Sequence, residues 1–270
     1  MIPSGRFHFS FRAEVAARVR LCAPITILAL LAVIFLPALS GAAVPEGPER
    51  KIVAKVVAAY GGEAALRNIR TVFARGRIEA TRAGEGSYAR YFGAGRKLRV
   101  ELVYRESAET RVLNGEKGWR GVDGGPLLAA KGAPLLAMVY QYKYLAFPLP
   151  LLEESYRITS FGRGELHGVP VDILAVSDDE GPPMKVFVDT RTNLIVRVAG
   201  EFAVGEARTE LAVEFSDFRK VEGVMFPFRL VNYGGEFRIG DTVITGLRVN
   251  GEMDEGLFTA EMPGEKSVHQ

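Results

Sequence analysis

Enzyme chemistry needs groups that move protons, attack carbonyls or bind metals, and this chain of 270 residues offers few of them. Of its three histidines, His167 lies in the turn-like stretch Gly164-Glu-Leu-His-Gly168 and His269 sits next to the C-terminal residue. No Gly-x-Ser-x-Gly elbow presents a serine, and no acid, base and nucleophile set is visible. The expectation is a protein that is not an enzyme. The acidic cluster Asp178-Asp179-Glu180 lacks the alternating oxygen ligands of a calcium loop and runs into Gly181-Pro182-Pro183, so it reads as a solvated hairpin tip. Neither Gly93-Ala94-Gly95 nor the Gly121–Gly125 stretch leads into a phosphate loop. No metal and no cofactor are therefore expected. Tyr88, Arg90, Tyr91, Arg96, Lys97 and Arg99 mix aromatic and basic types, but 34 Lys+Arg against 32 Asp+Glu leaves no cationic excess for nucleic acid.

The charge is unevenly spread. Residues 1–43 hold four arginines (6, 12, 18 and 20) and one acid, Glu14, so the remainder is slightly acidic. Arg18 and Arg20 precede Leu21 to Pro45, twenty-five residues without a charge, whose heart is Thr26–Leu36. Pro37 and the small residues Ala38, Ser40, Gly41, Ala42 and Ala43 follow. A basic start, an apolar run and small residues make a secretory signal, with Ala38-Leu39-Ser40 and Ser40-Gly41-Ala42 as cleavage sites; left uncleaved, the run would anchor the chain in the inner membrane. The single cysteine, Cys22, falls inside this run, so the remaining chain has no thiol for a disulfide or a thiolate metal site. Residues 1–43 thus read as a signal peptide or N-terminal anchor, and 44–270 as one exported, periplasmic domain.

The elements of that domain follow from periodicity. Glu46–Ala59 reads as a helix, with Pro48 near its start and Gly61-Gly62 after its end, and Glu63–Ile69 as a short second helix. The period then changes to two: Val72, Ala74, Ile78 and, more cleanly, Leu98, Val100, Leu102 and Tyr104 alternate with charged neighbours. Asn114-Gly115 marks a hairpin between Glu109–Leu113 and Gly118–Val122. Residues 126–152, apolar and aromatic, read mostly as helix, with Leu128, Leu135, Met138 and Tyr142 at roughly helical spacing and Lys131 and Lys143 excluding a membrane span. Seven further strands run from 156 to 249. The class is α+β: about eleven antiparallel strands in one strongly curved sheet, a half-barrel covered by the N-terminal helix and a central helical lid.

The sequence resembles the bacterial outer-membrane lipoprotein-sorting (LolA/LolB-like) superfamily. The stretches that carry the resemblance are Tyr60-Gly-Gly-Glu-Ala-Ala-Leu-Arg-Asn-Ile69, Leu98-Arg-Val-Glu101, Leu113-Asn-Gly-Glu-Lys-Gly-Trp119, Val188-Asp-Thr-Arg-Thr-Asn-Leu194, Val221-Glu-Gly-Val-Met-Phe-Pro227 and Val249-Asn250. The basic-Pro turn of dedicated lipoprotein carriers is replaced here by Gly93-Ala94-Gly95. The resemblance implies a hollow for acyl chains under a helical lid, and so a non-catalytic periplasmic carrier of lipid or lipoprotein, monomeric. The cavity and lid residues on this reading are Val72, Ala74, Ile78, Leu98, Val100, Leu102, Tyr104, Trp119, Leu135, Met138 and Tyr142. The alternative is an envelope structural or regulatory module on the same fold, pairing with a protein partner along an exposed edge at 236–249.

Overall fold

The computed structural model describes residues 47–204 and 207–260. The expected export signal, Cys22, His269 and the first residue of the expected helix, Glu46, lie outside them. Helices α1 (Pro48–Ala59) and α2 (Glu63–Arg67) lead into strands β1 (Thr71–Ala80), β2 (Gly84–Gly93), β3 (Lys97–Tyr104), β4 (Ala108–Asn114), β5 (Lys117–Val122) and β6 (Leu128–Ala130). Helix α3 (Ala133–Ala146) and a 3-10 turn at Leu149–Leu152 follow. The chain continues through β7 (Arg157–Leu166), β8 (Val169–Ser177), β9 (Met184–Asp189), β10 (Ile195–Val204), β11 (Ala207–Val221), β12 (Val224–Gly234) and β13 (Phe237–Val249), and a second 3-10 turn spans Glu255–Phe258. No helix among the described residues is long and apolar enough to cross a membrane.

All thirteen strands form one antiparallel sheet, ordered β6-β5-β4-β3-β2-β1-β13-β12-β11-β10-β9-β8-β7. Every neighbouring pair but one joins strands consecutive in sequence; the exception is β1–β13, where two meanders meet. Asn250 clips this seam, its Oδ1 accepting from the Arg70 amide at 2.7 Å and its Nδ2 donating to the Asn68 carbonyl at 3.0 Å. A twisted sheet this wide curls, and its concave face gathers the buried alternate residues into one core. The order has a further effect. Strands β6 and β7 are the two edges, so the chain between them has to cross from one side of the sheet to the other. It does so over the concave face, as α3.

The Tyr60-Gly61-Gly62 motif docks the end of α1 onto the C-terminal meander. The Tyr60 hydroxyl accepts from the Ile195 amide at 3.3 Å, and the Tyr60 carbonyl accepts from Met225 at 3.1 Å. Gly61 adopts φ 117° and approaches Gly223 so closely that a Cβ would lie 2.3 Å from its carbonyl oxygen. Only glycine satisfies both conditions.

The α+β half-barrel is as expected, with two strands more. Strand β2 escapes a periodicity search because its inward positions are Gly86, Tyr88, Arg90 and Phe92, a set that includes glycine and an arginine. Strand β6 is three residues long and lies within the segment read as helix, so Leu128 is an exposed strand residue, 68% accessible, and no part of α3. The segment 236–249 is not an edge: as β13 it is paired on both sides, to β1 and β12.

Candidate ligand site: a lidded hollow in the half-barrel

Helix α3 rests on the concave face through a few large side chains. Gly118 of β5 faces it so closely that a Cβ there would sit 2.7 Å from Leu135 Cδ1 and 3.0 Å from Met138 Sδ. Tyr142 stacks on Phe92 of β2, with ring centroids 4.9 Å apart and planes at 8°. On the other wing, Tyr140 meets Phe202 of β10 edge-on at 4.7 Å and donates to the Leu211 carbonyl of β11 at 3.0 Å.

Charges fasten one rim. Lys143 Nζ, with a side chain 4% exposed, reaches Asp178 Oδ2 at 2.6 Å and donates to the Glu180 carbonyl. Glu180 in turn pairs with Arg96 from the β2–β3 turn, whose amide donates to the Tyr142 hydroxyl at 3.2 Å. The Asp178–Glu180 cluster is therefore a clasp for the lid rather than a solvated hairpin tip. The acids at 178 and 180 were visible in the sequence; their cationic partners, 35 or more positions away, were not.

The lid does not fill what it covers. A room of about 230 Å³ lies beneath it, lined by Ile78, Tyr88, Val100, Leu102, Tyr140 and Tyr144 among others. At one end it adjoins a small inner space of about 40 Å³, bounded by Tyr60, Val72, Arg90, Phe92, Tyr144 and Phe215 among others. Tyr144 and Leu145 belong to both walls. At the other end the room shares Ala80, Leu102, Tyr104, Arg111 and Ile239 with an open mouth of about 740 Å³. Phe237 and Ile239 stand at this mouth, 79% and 49% exposed. Glu109, Arg111 and Arg120 form its polar side: Glu109 Oε1 lies 2.7 Å from Arg111 Nε and 2.6 Å from Arg120 Nε. Burial alone would raise the Glu109 carboxyl, but these two guanidinium groups overcome it and hold the carboxyl at about 2.

The chain has the fold of the LolA superfamily. A LolA superfamily protein from Nitrosomonas europaea superposes with a TM-score of 0.50 at 11% identity, covering 78% of this chain and 97% of that one. A DUF1329 family protein from Desulfovibrio piger superposes with a TM-score of 0.55 at 13% identity, covering 79% of this chain and 98% of that one. No family model and no curated protein matches the sequence.

Within that LolA-like half-barrel the expected site residues divide. Val72 borders the inner space; Ile78, Val100, Leu102 and Tyr104 line the room, and the last two also line the mouth. Ala74 and Leu98 are buried in the same core but face none of the three spaces. Leu135, Met138 and Tyr142 pack the lid against the sheet, while its cavity-facing positions are Ala137, Tyr140, Gln141, Tyr144 and Leu145. Trp119 faces none of the three spaces. It pairs with Val112 and so points to the face opposite Gly118, which is the one under the lid. The hairpin signal located β5 but left its register open, and a shift of one residue decides which face each side chain takes. His167 is in the β7–β8 turn, 72% exposed, its Nε2 3.1 Å from a Glu214 carboxylate oxygen on the outside of the sheet.

Proposed function

We propose that this protein is a non-catalytic carrier that holds the acyl chain of a lipid or lipoprotein in the hollow under α3. The observation that carries the reading is the space itself: a lidded room of about 230 Å³ opening into a mouth of about 740 Å³. A fold that needed only a core would gain by closing such a space, because its apolar walls give up packing contacts while it stays open. Each methylene transferred from water contributes about 0.8 kcal/mol, so a chain of ten buried methylenes supplies about 8 kcal/mol before association costs. Among the described residues lining the room, no acid, base and nucleophile converge. In this reading residues 1–43 export the chain, the domain from 44 onward works as a monomer in the periplasm, and no cofactor takes part.

Native mass spectrometry of the purified protein tests the proposal. The expected result is a population carrying extra mass that fragments to lipid and is displaced by a fluorescent fatty-acyl probe. A protein that is empty and also ignores such probes refutes it. The exposed Phe237 and Ile239 at the mouth favour a second reading, a protein partner bound there. Stoichiometric crosslinking to one envelope protein by a lipid-free sample would select it.

A further inference from the structure

Among the described residues, one buried charge on the concave face has no counter-ion. Arg90 of β2 sits at an inward position between Tyr88 and Phe92, paired across the sheet with Ala74 and Val100. It is 6% exposed, and its Nε has no hydrogen-bond partner. Among the described residues it enters no ion pair. Arg111, also inward, shows the contrast: its Nε and Nη2 lie 2.7 Å and 3.0 Å from the two oxygens of Glu109. A guanidinium keeps its charge in a protein interior, and burying it without a counter-ion is among the costlier things a fold can do. Such a group is an ordinary feature only if an anion completes it.

From this we infer that the hollow selects a long-chain carboxylate, a fatty acid that enters head first and is anchored by Arg90; the inference rests on the reading of the hollow as a lipid site. The space beside Arg90, about 40 Å³, exceeds what one water needs and suits a carboxylate. A bulkier head such as a glycerophosphate does not suit it. With the head at Arg90, the tail would run past Tyr144 and Leu145, which wall both this space and the room, and on under α3 towards the mouth. The nearby phenols stay protonated and can donate. Burial pushes Tyr88 up, with the Arg90 and Arg111 charges pulling it partly back, and burial raises Tyr144 to about 12. An esterified acyl chain brings no anion and leaves the guanidinium unmatched.

Fluorescence titration of the full chain with cis-parinaric acid and with its methyl ester tests this directly. The acid is expected to bind at least about tenfold tighter than the ester, the typical strength of a hydrogen bond to a charged group. In R90M the acid should lose that factor while the ester keeps its affinity, and R90K should retain part of the preference. Equal affinities in the unmodified protein, or an acid preference that survives in R90M, overturn the inference. Equal binding of both probes leaves the lipid-site reading intact, whereas binding of neither refutes that reading and this inference with it. The ratio of acid to ester in the unmodified protein decides the question even if R90M fails to fold.

Discussion

Replacing Lys143 by methionine should loosen the lid without unfolding the sheet. The lysine side chain is 4% exposed and its Asp178 partner 16%, so the pair is held out of water. Removing one member of such a pair strands the other, a loss of about 3–5 kcal/mol in comparable cases. Methionine keeps the apolar stem, which places the expected loss at about 3 kcal/mol. Only α3 and the β8–β9 turn depend on this contact, so the loss should appear as local opening. Hydrogen exchange read by mass spectrometry should show α3 amides exchanging on the order of a hundredfold faster, while β1 and β13 amides are unchanged. Adding D178N to K143M removes the stranded carboxylate and should recover part of the protection. Unchanged exchange in α3, or acceleration spread equally through the central strands, would refute the argument that the clasp holds the lid specifically.

Glu109 gives a pH signature. Its carboxyl is held at about 2, against an ordinary 4.5, so its stabilisation is full above pH 4.5 and lost as pH falls through 2. E109Q should therefore cost about 3 kcal/mol at pH 7, with the gap to the unmodified protein closing between pH 5 and pH 2 in urea titrations. G61A should cost more than about 2 kcal/mol and lower the melting temperature, since the new Cβ meets both an unfavourable φ and a backbone oxygen. A80W places an indole between room and mouth, and should reduce acyl-probe affinity about tenfold while the melting temperature moves by only a few degrees.

What could be read from the residues was whatever has a short period or a local turn. Leu98, Val100 and Leu102 announced both a strand and the face it buries, and all three lie in the core. The Gly61-Gly62 helix stop and the Asn114-Gly115 hairpin were equally local and equally legible. The face that Trp119 takes is harder to read, because a turn signal fixes where a hairpin folds more firmly than which side of the sheet its residues take. Arg90 was visible only as one member of a basic and aromatic mixture. The available clue was its place in the alternation Tyr88, Arg90, Phe92, which sets a charge among apolar inward neighbours. The clasp was out of reach, because Lys143 and Asp178 become neighbours only once the sheet has curled under α3.

The position of α3 between the two edge strands also constrains traffic. The helix is tethered to β6 on one side of the sheet and to β7 on the other, so it is a strap buckled at both ends and not a flap hinged at one. Such a strap can slacken but cannot swing clear. On the carrier reading, cargo threads lengthwise through the gap between Phe237–Ile239 and Ser107–Arg111, and the end that enters first is the last to leave. Exchange would be shut off by a covalent bridge across that gap, while a bridge pinning the strap itself would leave the passage open.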